Sequence, residues 1–418
     1  MDADVSVIGL GRVGLPLALS FADRGLKTIG VDRDRDRLDA LRSGRMPFHE
    51  DGADEVLARV LATGQLTLST AAVDAAAAEH IVLTVGTPSF SHIEIDVSEI
   101  RTVLDELLPV LTSGHSVVLR STIAPGTTDF VAGYLAKRRG LAIGEDVFVA
   151  HAPERIAAGR FFEEIDTLPC IIGGVGPESG DRVAQLFGVF DAPIRQTTPA
   201  QAELAKIWTN ILRYTHFALP NLLMMDCEQY GANVFEVIDL INRDYPRGGI
   251  AQPGLTAGTC LRKDFAFSEE RSHAPGMLLA VSRVNESVPL FLVEGMKRRL
   301  GSLSGRKVAV LGLAFKADTD DERDSLAHKL IRLLERELAD VAVHDPLVST
   351  PTQAFEEVVD GAEAVVMATN HDVFRQESCL ADLARLTGGT ALLVDPWDCW
   401  GVGQVFAYAS EAVALSHA

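Results

Sequence analysis

The run DVSVIGLGRVGLPLALSFADRGLKTIGVD, residues 4–32, leaves the chain few ways to fold. A short apolar segment of strand character meets three glycines, Gly9, Gly11 and Gly14. PLALSFADRG then has helical spacing, and KTIGVD is a second strand ending at Asp32. This is the strand-turn-helix-strand opening of a doubly wound α/β sheet. In such a turn the first glycine permits the tight bend, the second lets backbone approach a pyrophosphate, and the third lets helix pack on strand. Arg12 and Val13 complete the turn, and the helix start offers phosphates its amides and its positive dipole end.

Asp32 stands 18 residues beyond Gly14, where a carboxylate accepts hydrogen bonds from a ribose. That acid favours NAD over NADP, because a 2′-phosphate would face a like charge. Arg33 beside it is the residue that would reverse the preference. The segment DRDRDRL also reads as a solvated helix start, which accounts for Arg33 and Arg35 without a ligand. NAD is the expected cofactor.

A chain of 418 residues exceeds one compact core, so two or three domains are expected. Further strands fall at HIVLTVGTP (80–88), HSVVLRST (115–122) and EDVFVAHAPE (145–154), and IIGGV (171–175) is expected to close the first domain near residue 195. A long apolar-rich helical stretch then runs to Gly231, with Pro220 expected to kink or divide it. Strand-and-turn grammar restarts near 303 with GRKVAVLGLAFK, followed by VAVHDP, AVVMATN and ALLVDP. The expected fold is α/β, two Rossmann-like domains joined by a long central helical segment. The boundaries are 1–195 for the NAD domain, 196–300 for a helical dimerisation segment carrying the Cys260 loop, and 301–418 for a domain that holds a different ligand, or a different part of one.

A net charge of −20 argues against a nucleic-acid partner, which needs a basic surface. Five cysteines, odd in number and without a CxxC pair, fit reduced thiols in the cytoplasm better than a disulfide framework or a zinc site. No metal site is expected. The chain opens without a signal-peptide pattern and carries no span-length apolar run, so no membrane association is expected. Cys260 departs from the setting of a core thiol. In PGLTAGTCLRKDF it follows a flexible glycine-threonine run and precedes Lys263 and Asp264. A nearby ammonium lowers a thiol's pKa and makes more of the nucleophilic thiolate. Beside an NAD domain, a reactive thiol suggests aldehyde oxidation through a thiohemiacetal and a thioester.

GLGRVGLPLA with Asp32, RSTIAPGTT, APERIAAG, ELAKIWTN, PGLTAGTCLRKD and VLGLAFKADTDDERDS occur in the order of the UDP-glucose/GDP-mannose dehydrogenase family, and the chain resembles that family over nearly its whole length. The resemblance implies oxidation of the C6 hydroxyl of a UDP-sugar to a carboxylate by a homodimer, with two NAD consumed. It implies Cys260 as nucleophile and Asp264 as partner in water activation. Lys206 and Asn210 would hold the oxyanion and a water, and Thr122 and Glu154 would complete the acid-base set. Cofactor contacts would come from Arg12, Val13, Arg37, Thr87, Pro88, Ser121, Thr122, Lys263 and Arg323. Substrate contacts would come from Glu154, Arg155, Lys206, Asn210, Arg247, Gly254, Phe315 and Lys316. Singly, Lys206 also reads as an amphipathic-helix lysine, Glu154 as a loop carboxylate and Arg323 as an ion-pair partner.

Two features divide the substrate branches. Ala158 stands where UDP-glucose dehydrogenases carry a second glutamate, and INRDYPRGGIAQPG is similar to the branch taking UDP-N-acetylhexosamines. CLRKD, with Lys263, is closer to the UDP-glucose and GDP-mannose branch. UDP-N-acetylglucosamine or UDP-N-acetylmannosamine is the expected substrate, with UDP-glucose as the alternative and a non-catalytic nucleotide-sugar binder as the reading of another class.

Overall fold

The computed structural model describes the chain apart from residues 88, 91–93, 96, 257, 270–275 and 416–418, and describes the backbone alone at 89, 90, 94, 95, 259, 260, 266, 269 and 415. Two units carry one large sheet each: Met1–Thr209 with Ala266–Arg271, and Asn210–Phe265 with Ser272–Ala418.

In the first unit β1 (Ala3–Ile8), β2 (Thr28–Val31), β3 (Leu66–Ser69) and β4 (Ala78–Leu83) precede a small antiparallel ribbon of β5 (Ser89–Phe90) and β6 (Glu94–Ile95). β7 (Ser116–Leu119), β8 (Phe148–His151), β9 (Cys170–Gly174) and β10 (Ile194–Thr197) follow. The large sheet has the order β10-β9-β8-β7-β4-β1-β2-β3, parallel except where β9 runs against β8. Alternation explains the apolar runs. Val5, Val7, Val82, Val118 and Ala150 bury on one face, while Ile8, Ile81, Leu83, Val117, Leu119 and Val149 bury on the other. A sheet covered on both faces needs apolar residues at nearly every position. After IIGGV one more strand, β10, forms the edge of the sheet, and its half-exposed IRQT shows no apolar run because an edge strand is less fully covered.

The second unit repeats the plan with β11 (Lys307–Leu311), β12 (Asp340–His344), β13 (Ala364–Met367), β14 (Leu392–Val394) and β15 (Phe406–Tyr408) in the order β12-β11-β13-β14-β15. β15 is antiparallel to β14 and too short to read from sequence. Val308, Val310, Ala364, Val366, Leu392 and Val394 face one cluster, which also takes Met224, Phe235, Ile238, Val288 and Leu292 from the helices before the sheet.

The long helix Pro199–Tyr230 is not divided at Pro220. Proline there loses the bond its amide would make to the carbonyl four residues back and crowds that carbonyl, yet the turns on either side stay formed. The helix ends where Gly231 turns left-handed, at φ 68°, and Ala232 N donates back to Cys227 O at 2.8 Å. Among the described residues no helix is long and apolar enough to cross a membrane, and no group of three or more His, Cys, Asp or Glu side chains is disposed to hold a metal.

Near its start the long helix supplies a cap to another. The buried Glu203 carboxylate accepts from Gly126 N at 2.7 Å, Thr128 N at 2.8 Å and the Thr128 hydroxyl at 2.6 Å. Those amides open the helix Thr127–Arg139 and lack partners within it. Glu203→Ala is expected to destabilise the first unit by about 3–5 kcal/mol in urea unfolding, because buried donors lose a charged acceptor. Glu203→Gln keeps an acceptor and should lose less. Equal losses in the two variants would mean that side-chain volume, rather than hydrogen bonding, carries this contact.

Candidate functional site

The glycine turn lies at the end of β1, where the strand order of the first sheet reverses between β1 and β4. Such reversals open a crevice at the carboxyl ends of the strands. Gly9 has φ 99° and donates its amide to Val31 O at 2.8 Å. A side-chain carbon at Gly14 would come within 2.0 Å of Gly9 O, so this glycine lets helix and strand meet. At Gly11 nothing lies within 4 Å, and the backbone there is open to a ligand. The turn therefore fits the pyrophosphate of NAD.

Asp32 is more occupied than a bare ribose acceptor. Its Oδ2 accepts from Leu10 N at 2.7 Å and from Arg37 Nη1 at 2.8 Å, and its Oδ1 accepts from Asp34 N at 2.9 Å. It thus fastens the glycine turn to the end of β2. Arg33 points away, largely exposed, to Glu99 at 2.7 Å. Val13 takes the N-cap position of the helix Gly14–Asp23, and the Arg12 guanidinium lies 5.0 Å from the Phe48 ring centre. Across the crevice the Thr87 hydroxyl donates to Thr122 O, and the Ser121 hydroxyl to Val85 O, each at 2.6 Å. These contacts bring Thr87, Ser121 and Thr122 together after β4 and β7. Pro88 lies outside the described residues.

After β8 the chain carries Glu154, buried and held from three sides. Its Oε2 accepts from Arg120 Nη2 at 2.6 Å, and its Oε1 accepts from Arg155 N at 2.6 Å and Ile156 N at 2.7 Å. Arg120 also donates to Ala152 O at 3.0 Å and Pro153 O at 3.2 Å, with its guanidinium 5.2 Å from the Phe187 ring centre. The Arg155 guanidinium reaches Pro169 O at 3.4 Å. Ala158 sits in a turn fastened by two other acids. Glu50 accepts from Gly159 N at 3.0 Å and Phe161 N at 2.8 Å, and Glu164 accepts from Ala157 N at 2.9 Å. Burial pushes the Glu50 carboxyl up, against the pull of its two amide donors.

His151 ends β8 fully buried, its Nδ1 2.9 Å from Leu119 O. Nδ1 therefore donates, and Nε2 has no protein partner among the described residues. Burial drives its pKa down to about 3, the Leu119 contact opposes this, and the positive charges of Arg120 and Lys206 add to the fall. Lys206 is itself buried.

In the second unit Asn210 Nδ2 donates to Asp264 Oδ2 at 2.5 Å, and both side chains are buried. Asp264 belongs to the helix Thr259–Glu269. Cys260, at the end of the glycine-threonine run, is the second residue of that helix. Its side chain lies outside the described residues. Helical spacing puts Cys260, Lys263 and Asp264 on one side of the helix, at i, i+3 and i+4. Ahead of them Gly254 N donates to Asn221 Oδ1 at 2.8 Å, and a side-chain carbon at Gly254 would come within 2.3 Å of the Trp397 ring.

The turn after β11 follows the geometry of the glycine turn. Gly312 N donates to His344 O at 2.8 Å, and Asp345 Oδ2 accepts from Leu313 N at 2.6 Å and Ala314 N at 3.0 Å. Phe315 and Lys316 come next, both half-buried. Here the acid is closed off by His371, whose Nε2 lies 3.1 Å from Asp345 Oδ2. Burial pushes the Asp345 carboxyl up, but the His371 and Leu313 hydrogen bonds outweigh it and hold the carboxyl below its ordinary range. Arg323 bonds Asp321 at 2.7 and 2.8 Å. Arg247 stacks on a tyrosine of its own segment, its guanidinium 4.8 Å from the Tyr245 ring centre. It lies on an exposed loop, its Nε 3.0 Å from the Tyr245 hydroxyl. Arg120, His151, Glu203 and Asn221 escaped the sequence reading, since a single polar residue inside an apolar segment carries no periodic signal.

In the folded protein His151 stays neutral down to about pH 3, whereas the unfolded chain takes up a proton below the ordinary histidine value of 6.5. The stability it contributes is therefore complete above pH 6.5 and lost as pH falls towards 3. Between about pH 6 and 4 the wild type is expected to lose about 1 kcal/mol per pH unit more than His151→Gln. Parallel pH dependence of the two proteins in urea unfolding would refute this account.

Residues 3–191 match the NAD binding domain of the UDP-glucose/GDP-mannose dehydrogenase family, residues 200–287 its central domain and residues 309–401 its UDP binding domain. The chain is similar to the UDP-N-acetyl-D-mannosamine dehydrogenase of Pyrococcus horikoshii, 34% identical over 89% of this chain and 90% of that protein. The solved structure of the UDP-D-ManNAc dehydrogenase of that organism aligns with a TM-score of 0.86 over 94% of both chains, at 32% identity. Similarity extends to the NDP-N-acetyl-D-galactosaminuronic acid dehydrogenase of Ralstonia nicotianae, 30% identical over 96% of this chain and 97% of that protein. The UDP-glucose dehydrogenase of Pyrobaculum islandicum aligns with a TM-score of 0.84 over 98% of this chain and 96% of that one, at 29% identity. The chain belongs to the UDP-glucose/GDP-mannose dehydrogenase family and is an NAD-dependent nucleotide-sugar dehydrogenase.

Proposed function

We propose that the protein oxidises the C6 hydroxyl of a UDP-N-acetylhexosamine, UDP-N-acetylmannosamine or UDP-N-acetylglucosamine, to a carboxylate. The observation that carries this reading is the buried Asn210–Asp264 contact on the helix of Cys260. Bound NAD supplies the hydride acceptor, once for each two-electron oxidation. Between the two, the Cys260 thiolate adds to the C6 aldehyde. Loss of the second hydride leaves a thioester, and water releases the acid and restores the thiol. Lys206 and Asn210 stabilise the oxyanion, since a buried ammonium and amide need no reorganisation as charge develops. Asp264 orients the water, and Thr122 and Glu154 complete the proton path. Relatives named for UDP-N-acetyl-D-mannosamine support the N-acetyl sugar. The UDP-glucose alternative draws on Lys263 beside Asp264 and on the likeness to a UDP-glucose dehydrogenase structure.

We assign the domains as 1–195, 196–300 and 301–418, and the solution state as a homodimer. An apolar stripe on the long helix, exposed at Trp208, Leu212, Leu219 and Leu222, supports the dimer. These positions share a helix face and would otherwise face water. The scattered cysteines, with Cys227, Cys379 and Cys399 buried, support a cytoplasmic setting.

Two experiments test the reaction. Cys260→Ala should abolish uronate formation while NAD still binds. Uronate production at the wild-type rate would rule out the thioester route. In a panel of UDP-sugars, an N-acetylhexosamine should show the highest kcat/KM, and Ala158→Glu should lower it. Because Glu50 and Glu164 already crowd that turn, Ala158→Gln is the neutral control for added charge. A wild-type preference for UDP-glucose would overturn the substrate assignment.

A further inference from the structure

The backbone entering the Cys260 helix rests on the loop after β11, all within the second unit. Gly258, at φ 98°, lies against Phe315, where a side-chain carbon would come within 2.5 Å of the ring. Its amide points to Asp324 O at 3.4 Å. One turn into the helix, Arg262 Nη1 stands 3.5 Å from both Asp324 O and Asp324 Oδ1, and its Nε pairs with Glu286 at 2.7 Å.

The loop itself is braced. Phe315 N donates to Asp321 O at 2.9 Å, and the Ser325 hydroxyl donates to Ala314 O at 3.3 Å. Asp324 holds φ 56°, a left-handed conformation that costs energy in a residue other than glycine. That conformation belongs to the residue whose carbonyl faces both Gly258 and Arg262. Lys316 follows Phe315 directly, inside the stretch that matches a UDP binding domain.

We propose that this loop is a relay in which the nucleotide diphosphate, bound at residues 312–316, seats the start of the Cys260 helix and raises the reactivity of the thiol. Phe315 and Asp324 are the positioning residues. First-turn amides of a helix favour a thiolate, and they do so only when the turn is formed. The nucleotide half of the substrate then acts on the nucleophile as well as on affinity. The inference rests on the reading of Cys260 as nucleophile given above.

The test is the alkylation rate of Cys260 in the full-length protein, with iodoacetamide and peptide mapping, with and without UDP. UDP should accelerate alkylation about fivefold or more, the lower end of ordinary coupling between sites. A nucleotide that merely shielded the thiol would slow it. In Phe315→Ala, with UDP at a concentration that saturates the variant, the acceleration should vanish. Phe315→Leu, which fills more of the space, serves if the alanine variant fails to fold. Bound UDP without acceleration in the wild type, or acceleration that persists in either folded variant, overturns the relay alone. Failure of UDP to bind the wild type, or undiminished uronate formation after Cys260 is alkylated, overturns the functional reading and the relay with it.

Discussion

A carboxylate at the end of the second strand of each sheet, gripping the turn after the first, is the contact on which both halves of the protein depend. In the first unit Asp32 takes the amide of Leu10, and in the second Asp345 takes those of Leu313 and Ala314. Each turn must leave its strand sharply and present backbone amides outward. Without an acceptor those amides would be buried and unpaired, which costs more than the hydrogen bond itself gains. The two clamps differ in what else they touch. Asp32 is joined by the arginine Arg37 and keeps part of its surface open, whereas Asp345 is closed by His371. One sheet plan therefore yields two unlike turns, one whose acid stays partly exposed and one whose acid is closed over.

The residues proposed for the chemistry are supported by polar contacts that are themselves buried. Arg120 braces Glu154 and its turn, Glu203 fastens the long helix beside Lys206, and Asn221 anchors Gly254. Asn221 in turn donates to Asn285 Oδ1 at 2.9 Å, and Asn285 donates to Tyr214 O at 3.0 Å. Removing one member leaves another without a partner in a low-dielectric interior, so these groups specify position more than they add stability.

Much of this was legible in the sequence, and the physics explains which part. Strands buried on both faces announce themselves as apolar runs, so β1, β4, β7, β11 and β13 stood out. The edge strand β10 and the short β15 did not, since neither requires continuous apolar residues. The glycine turn was readable because backbone geometry admits few substitutes. The helix at Cys260 was hidden by the glycine and threonine before it, which resemble a loop until the chain enters TCLRKDFAFSE. Arg120 and Asn221 were hidden for another reason. Their partners lie 34 and 33 residues away, at Glu154 and Gly254, and no local pattern records a contact at that separation.

The unbroken long helix has a consequence for how this protein tolerates change in length. Asn210, Tyr214 and Asn221 each make a buried contact from it, to Asp264, Asn285, and Asn285 with Gly254 respectively. Inserting or deleting one residue between 210 and 221 would turn everything beyond it by about 100° and shift it about 1.5 Å along the axis. No loop lies in that interval to absorb the change. Single substitutions leave the spacing of these contacts intact, while the residue count between them has to stay constant.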